Sequence, residues 1–599
     1  MLYFGKWERN ITLGGDAWGY YVYLPALIIY QDLGQLQEPI HIREQLHPGT
    51  TSHEADGLLR VGEAPAAGRN NLIKYTYGVS LLHLPAFAIA HLFSSLSGKF
   101  VATGYSQPYL LAIYFSSILY ILLGLWFCGK VLLHRFSRPT TLLVLGILAI
   151  GTNLFYFGTI NNGLAHPLLF FLWALLIYLT ENYYTTPRLR TFFLIGATVG
   201  LITVIRPVEC ISIAIPLFWG LSKANPFSAR VAHFQKHFRH LIGGAVGGIL
   251  LILPQLLYWK FASGQWVYYS YPGESFDFLH PQIWKGMFGF LNGWLVYTPV
   301  LFLAIIGINQ SIRKKQQNRL LILILVILHI YITYSWWNWY YINGFGSRPM
   351  VDIYALLAIP LAFFLDSIKT NWKKGLLLSF ICATIFLNLF QTWQQWKGIL
   401  WSEAANKAYY IQAFGETSFN KPLSAALDSK RYQPSGLQIN KRIFRTDFEG
   451  PDSDLPNKYA FSESHSYLIS NAYQHDPAAW SIPYEAFEIA TEKPEYILVR
   501  VQVYVARQIP EFYLADGLIL EWVRNGKGYG SKRIRLHNKT GDPGEFTIWS
   551  GKAGQWYPAE IYLPIDYRFR EGDSFRIFPE HYSDEFEVYI DDLEVFLIR

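Results

Sequence analysis

Asp16 stands between glycines and aromatics in GGDAWGYYVYLPALIIYQDL (14–33), just ahead of a helix-like stretch. A carboxylate held there can deprotonate an acceptor or bind a cation. It can equally cap a helix start, a common place for Asp. Lys74 opens the apolar part of NNLIKYTYGVSLLHLPAF (70–87). An ammonium at that point suits a lipid phosphate, or it is a lysine snorkelling to the headgroups. Asn161, Asn162 and His166 share TNLFYFGTINNGLAHP (152–167), a turn between two apolar runs, where a lone His is more often a packing residue than a catalyst. Tyr271, Glu274, Asp277 and His280 follow in SYPGESFDFLHPQIW (270–284). Arg348 and Asp352 end YSWWNWYYINGFGSRPMVD (334–352), a segment dense in Trp and Tyr. Aromatic belts at a membrane interface account for many such rings; stacking on sugar faces is their other use. Arg matches phosphate bidentately, so Arg348 is a candidate phosphate ligand. Arg206, in LITVIRPVE, is a similar outlier, with Glu209 close in sequence as its partner.

These residues sit between apolar runs. The chain has 599 residues, 52% hydrophobic and 17% aromatic, and its charged share is 16%, against roughly 25% in an average soluble domain. Up to about Trp401 the runs approach membrane-spanning length, about 20 residues. The spacing predicts about ten spans, at 108–133, 140–158, 166–182, 191–206, 208–222, 241–259, 295–311, 320–337, 353–368 and 375–393. Basic residues collect in alternate loops, such as Lys130, Arg135 and Arg138, or Arg313, Lys314, Lys315 and Arg319. By the positive-inside rule those loops are cytoplasmic. Every candidate residue above then lies on the outer face: the periplasm if the membrane is a bacterial inner one. A net charge of +7 spread in this way encodes topology rather than nucleic-acid binding.

Segment 1–107 is expected to be a first outer loop with interfacial helices. Its stretch 77–97 carries His83, Pro85 and His91; either it lies along the interface with a first spanning helix upstream, the preferred reading, or it spans and leaves 1–76 cytoplasmic. Residues 108–400 form the transmembrane part, and 415–599 a soluble part. In the latter, YILVRVQVYVA (496–506), GLILEWV (517–523), EFTIWSG (545–551), AEIYLPI (559–565), SFRIFPE (574–580) and EFEVYIDDLEVFLIR (585–599) read as strands. The segments NGKGYG (525–530) and NKTGDPGE (538–545) read as turns. The pattern predicts a β-sandwich or jelly roll. Its ending resembles the last strand of jelly-roll carbohydrate-binding modules; a sandwich that only stabilises the membrane part is the plainer reading. Cys128, Cys210 and Cys382 lie in apolar runs and read as small buried residues, with no disulfide framework or metal site among them. No Walker loop, GxGxxG, HExxH or GxSxG occurs. Few ionisable residues fall at mid-span, which argues against an ion-coupled transporter.

The stretches DAWGYYVYLP (16–25), KYTYGVSLLHLPAF (74–87), TNLFYFG (152–158), PQLLYWKFASGQWVYYSY (254–271), GWLVYTP (293–299) and FGSRPMVD (345–352) carry a resemblance. Together they resemble the GT-C class of membrane glycosyltransferases, which includes protein O-mannosyltransferases and the lipid A aminoarabinose transferase. The likeness is nearest to bacterial members whose first loop reads D-x-x-G-Y-Y-x-Y-L-P, and it covers about residues 10–400. It implies inverting transfer of a sugar from a polyprenyl-phosphate donor, on the outer face, to a glycan, lipid or protein acceptor. It implies that Asp16 orients or deprotonates the acceptor and that Lys74 and Arg348 hold the donor phosphate. His166, Glu274, Asn162, Tyr271 and Asp352 would be secondary site residues. The chain shows one Asp where many members of the class show a pair of acids. That leaves any divalent cation open, with Asp16 as its ligand if there is one. A lipid or glycan flippase, or an envelope protein whose sandwich binds glycan, are the competing readings.

Overall fold

The computed structural model describes residues 11–12, 15–46, 58–61, 70–222, 225–271, 274–341, 344–402, 405–418, 423, 426, 439–448, 460–461, 466–469, 480–488, 494–506, 516–536, 553–566, 568–581 and 587–598. The chain divides into two compact units, Met1–Ala404 and Ala405–Arg599.

The first unit is helical. Among the described residues, six helices are long and apolar enough to cross a membrane: Gly78–Ser97, Gln107–Leu133, Ala165–Thr185, Phe238–Ser263, Arg348–Ser367 and Asn371–Trp396. Outward-facing Leu96, Leu119, Ile249, Leu376 and Phe386 are each more than half exposed. So much exposed apolar surface requires hydrocarbon as its solvent, and the unit is an integral membrane one. The stretch expected to lie in the interface is the unbroken helix Gly78–Ser97, whose length and apolarity also meet the requirement for crossing.

Several expected spans are broken. The run 140–158 forms Arg138–Ile150 and then Leu154–Thr159, with buried Thr152 and Asn153 between them. The run 208–222 is a 3-10 helix, Pro207–Ile213, followed by the short helix Ala214–Phe218. Pro207 cannot continue the helix Leu189–Ile205. The run 295–311 starts as Trp294–Tyr297 and a 3-10 turn, Pro299–Leu301, before the helix Phe302–Arg313. Irregular backbone at membrane depth survives where protein groups satisfy it. Asn153 shows how. It donates to the carbonyls of Phe345 (3.0 Å) and Ser347 (3.3 Å) and accepts from Tyr354 Oη at 2.6 Å. The breaks therefore brace one another and fix the loop that carries Arg348.

Helices Leu189–Ile205 and Phe238–Ser263 pack through glycines. A β-carbon on Gly196 would fall on the backbone of Gly244, and one on Gly200 would meet the Gly248 carbonyl at 2.6 Å. Close backbone approach through small residues is how membrane helices gain contact without a hydrophobic driving force. Gly196→Val is expected to destabilise the unit by about 1–3 kcal/mol, read as a lower thermal midpoint in detergent.

The second unit is a β-sandwich. For strand labels, β1 (Leu58–Val61) and β2 (Asn70–Ile73) form a hairpin in the first unit. The sandwich has β3 (Ile439–Thr446), β4 (Tyr467–Ile469), β5 (Trp480–Pro483), β6 (Tyr496–Val505), β7 (Gly517–Arg524), β8 (Lys527–Arg535), β9 (Trp556–Pro564), β10 (Asp573–Glu580) and β11 (Val588–Ile598). One sheet runs β5-β10-β7-β8; the other runs β3-β11-β6-β9, with β4 also on β11. Every pairing within them is antiparallel. Alternate residues of both sheets, among them Val499, Val501, Leu518, Leu520, Phe575 and Val595, share one core, as period-two strands require. The turn expected over 525–530 is confined to Asn525 and Gly526, at φ +50° and +75°. This two-residue loop matches strand twist, so Lys527 onward is free to pair as β8. The expected strand 545–551 and turn 538–545 lie outside the described residues apart from their flanks.

Candidate active site

Asp16 lies in the first turn of the helix Gly15–Tyr21, which Gly15 enters at φ +64°, a region open to glycine. Its carboxylate is not spent on capping. Oδ2 lies 2.7 Å from Arg348 Nη1, and Oδ1 accepts from Tyr75 Oη at 2.5 Å. About a quarter of the Asp16 side chain remains exposed, 24%, so the carboxylate is open to solvent. Burial alone would raise its pKa. The Arg348 charge, the Tyr75 and Arg348 hydrogen bonds and the more distant His166 outweigh that and hold it below the usual value. Asp16 is thus ionised at neutral pH.

Tyr75 is fixed from several sides. Its carbonyl accepts from Tyr23 Oη at 2.8 Å, and its ring lies 4.7 Å from that of Tyr20. A β-carbon on Gly19 would collide with the Tyr75 ring. The flanking backbone is pinned to two helices: Thr76 Oγ1 donates to the Val204 carbonyl (2.5 Å), and Tyr77 N–H to Gln255 Oε1 (3.0 Å). Burial, Asp16 and Tyr271 push the Tyr75 phenol well up, so Tyr75 is a proton donor and not a second base. Gly19→Ala is expected to displace Tyr75 and raise the Asp16 pKa, since one hydrogen bond to the carboxylate would be lost. The check is the acidic limb of any activity that depends on Asp16, which would move to higher pH.

Lys74 points at Glu274, with Nζ 2.5 Å from Oε1, and its ammonium lies 4.7 Å from the centroid of Tyr271. Trp337 Nε1 donates to the other Glu274 oxygen at 3.0 Å. The loop 270–282 is strapped to the end of the helix Arg319–Ser335 by Asp277 N–H to Ser335 O (2.7 Å) and Gln282 N–H to Tyr334 O (2.7 Å). Burial first, then Tyr20 and Asp16, raises the Tyr271 phenol well above its ordinary value. The two ion pairs thus meet around Tyr20, Tyr75 and Tyr271.

Behind Asp16 lies a second, more buried group. His166 Nδ1 is 2.8 Å from Asp352 Oδ1, and Arg206 Nη1 is 2.7 Å from Asp352 Oδ2. Sequence proximity suggested Glu209 as the partner of Arg206, and the two do pair, at 4.0 Å, with Asp352 the closer partner. The break at Pro207 turns the Arg206 side chain toward Asp352, which comes from another element. Glu209 also pairs with His329 Nδ1, at 3.3 Å. Both guanidinium groups, of Arg206 and Arg348, stand about one ring away from Tyr341, at 5.9 and 5.8 Å from its centroid.

The sequence reading of Asp16, Lys74, Arg348, His166, Glu274, Tyr271 and Asp352 therefore meets in the structure as two linked sets of ion pairs. Asn162 is buried in the turn before the helix Ala165–Thr185. Asp277 and His280 pair with each other in an exposed turn, at 58% and 78% exposure. Tyr75, Glu209, Tyr341 and His329 were not singled out as site members. His329 carried a signal: an imidazole inside LLILILVILHIYITY needs a polar partner at membrane depth. Among the described residues, Glu209, His329 and Asp352 offer metal-ligand atoms within 4.8 Å of one another. Arg206, His166 and His329 already pair those carboxylates. A cation role for Asp16 has no support here, since its partners are Arg348 and Tyr75. Of the cysteines, Cys128 is buried, whereas Cys210 and Cys382 are exposed, contrary to the expectation that all would be buried; both belong to segments with outward apolar faces.

No protein-family model matches the chain. No curated protein matches it either. The solved structures similar to it include two membrane proteins. One is ArnT from Cupriavidus metallidurans in the apo state, at 11% identity and a TM-score of 0.40, over 71% of this chain and 67% of that one. The other is arabinosyltransferase EmbB from Mycobacterium smegmatis, at 11% identity and a TM-score of 0.27, over 81% of this chain and 57% of that one. Likeness at this level leaves the chemistry to be argued from the side chains.

Proposed function

We propose that the helical unit is a membrane glycosyltransferase. In this reading it transfers a sugar from a polyprenyl-phosphate donor to an acceptor hydroxyl or amine, with inversion at the anomeric carbon. The observation that carries the reading is the ionised, partly exposed Asp16 held 2.7 Å from Arg348, with a second cation, Lys74, on the neighbouring residue to its Tyr75 partner.

The roles follow from charge. The acceptor oxygen or nitrogen attacks the anomeric carbon as the bond to the phosphate oxygen breaks. The bonding pair leaves with the phosphate, and the acceptor proton passes to Asp16. Arg348 and Lys74 are placed to stabilise charge gathering on the departing phosphate. Arg348 Nε is buried and has no hydrogen-bond partner among the described residues, which leaves a donor for that oxygen. Arg348 shared with a phosphate pulls less on Asp16, so donor binding would strengthen the base when it is needed. Asp352, Arg206 and His166 act as positioning residues behind the reacting groups. The basic loops collect at the opposite ends of the helices, so the positive-inside rule puts this site on the outer face, periplasmic in a bacterial inner membrane. The resemblance in the first-loop motif DAWGYYVYLP supports the same reading.

The test uses purified protein, a panel of polyprenyl-phosphate sugars and an envelope extract as acceptor. The expected result is transfer with inverted anomeric configuration, read by NMR of the product. Retained configuration, or transfer from nucleotide sugars alone, would overturn the proposal. Lys74→Gln is expected to weaken donor binding by about tenfold, the scale of one charge-assisted contact, measured as the donor concentration at half-saturation.

A further inference from the structure

A second polar site lies at the opposite end of the bundle. Glu181 follows His166 by fifteen residues on the helix Ala165–Thr185, roughly 22 Å at the helical rise. There, a cavity of about 550 Å³ is lined by Arg135, Glu181, Tyr184, Trp219, Arg230 and His233, among others. Its charges do not balance. Glu181 is taken by Arg135 at 2.5 Å and by His134 at 3.4 Å. Arg230 is 3% exposed, lies 3.7 Å over the Tyr184 ring and donates from Nη2 to the Trp219 carbonyl at 2.5 Å. Its Nη1 has no hydrogen-bond partner among the described residues, and no described carboxylate is within ion-pair distance. A buried guanidinium without an anion is costly. Burial pushes the Arg230 pKa down to about 10, and burial together with His237, Arg230, His240 and Lys236 pushes His233 down. His233 also faces Tyr183, whose Oη lies 3.3 Å from its Nε2, and the Tyr184 ring at 5.6 Å.

Phe227 and Val231 project outward one turn apart on the helix that bears Arg230, and Phe227 stacks on exposed Phe218 at 6.2 Å. A short helix with such a face beside a basic end belongs at a lipid surface.

We propose that this cavity binds a phosphate group, held by Arg230 and Arg135, and that the exposed apolar side of the helix bearing Arg230 makes a membrane lipid headgroup its carrier. The site is separate from the sugar-transfer reading and does not depend on it. The full-length protein in neutral detergent is titrated with phosphatidylglycerol, with phosphatidylcholine and with inorganic phosphate, and the thermal midpoint is followed. Phosphatidylglycerol is expected to raise the midpoint and phosphatidylcholine to leave it unchanged. Arg230→Gln should raise the half-saturating concentration by about tenfold. Asn225→Asp, which puts a carboxylate into the lining of the cavity, should do the same in a protein whose core is untouched, and it carries the test if Arg230→Gln does not fold. Lys374→Gln, on the same basic face but outside the cavity, should have no effect. Protection by inorganic phosphate with the same dependence on variants would keep the phosphate site and make its carrier soluble. No protection by either compound, or equal protection in all variants, would overturn the proposal.

Discussion

Asp16→Asn is expected to lower turnover by roughly 10²–10⁴-fold, the usual worth of a positioned general base, while donor binding stays within a few-fold of wild type. Asparagine keeps the shape and an oxygen that can accept from Tyr75 or Arg348, so the helix Gly15–Tyr21 retains its anchor. What it loses is the ability to take a proton. The fold is checked by size-exclusion profile and thermal midpoint in detergent, and the chemistry by the rate of polyprenyl-phosphate release. A variant that folds, binds donor and turns over normally would remove Asp16 from the reaction.

The second large effect is at Arg348. Arg348→Ala is expected to cost about 10²–10³-fold in turnover, the scale of one lost electrostatic stabiliser of a developing anion. It should also move the pH profile. Asp16 must be ionised to act, so activity falls as pH drops through its pKa. In the wild type, burial pushes that pKa up but Arg348, Tyr75 and His166 together hold it below its ordinary value, near 3.9 for a free side chain. Removing Arg348 deletes the largest lowering influence and leaves burial, so the acidic limb should shift to higher pH. The same sign applies to stability. A depressed carboxylate pKa contributes stability that is present above the unfolded value and lost as pH falls through the folded one. Arg348→Ala should therefore flatten the loss of stability on acidification. Arg348→Lys, which keeps charge without the planar fork, should restore part of the limb position but little of the rate.

Much of the site was legible in the sequence because charged residues are conspicuous against apolar runs. Asp16, Lys74 and Arg348 each break a local pattern, and each has its charge met by another segment. Their pairing was not legible. Lys74 meets Glu274 and Arg348 meets Asp16 across some 200 and more than 300 residues of chain, and no local rule sets such registers. Proximity named Glu209 for Arg206, and that pair exists at 4.0 Å, but the closer partner, Asp352 at 2.7 Å, depends on the break at Pro207 packing against another loop. Hydropathy likewise marks apolar runs but not breaks within them. The run 140–158 reads as one span, whereas its halves separate where Asn153 finds carbonyls of the Arg348 loop. The strands of the sandwich were read well where alternation was clean, as in β6, β10 and β11, since burial on one face imposes period two.

The most direct test is a single-turnover measurement. Enzyme in excess is loaded with a polyprenyl-phosphate sugar that it binds, acceptor extract is added, and released polyprenyl phosphate is followed for wild type and Asp16→Asn. The account predicts prompt release by the wild type, and from the variant equal donor occupancy with almost no release. Release from Asp16→Asn at the wild-type rate would contradict it.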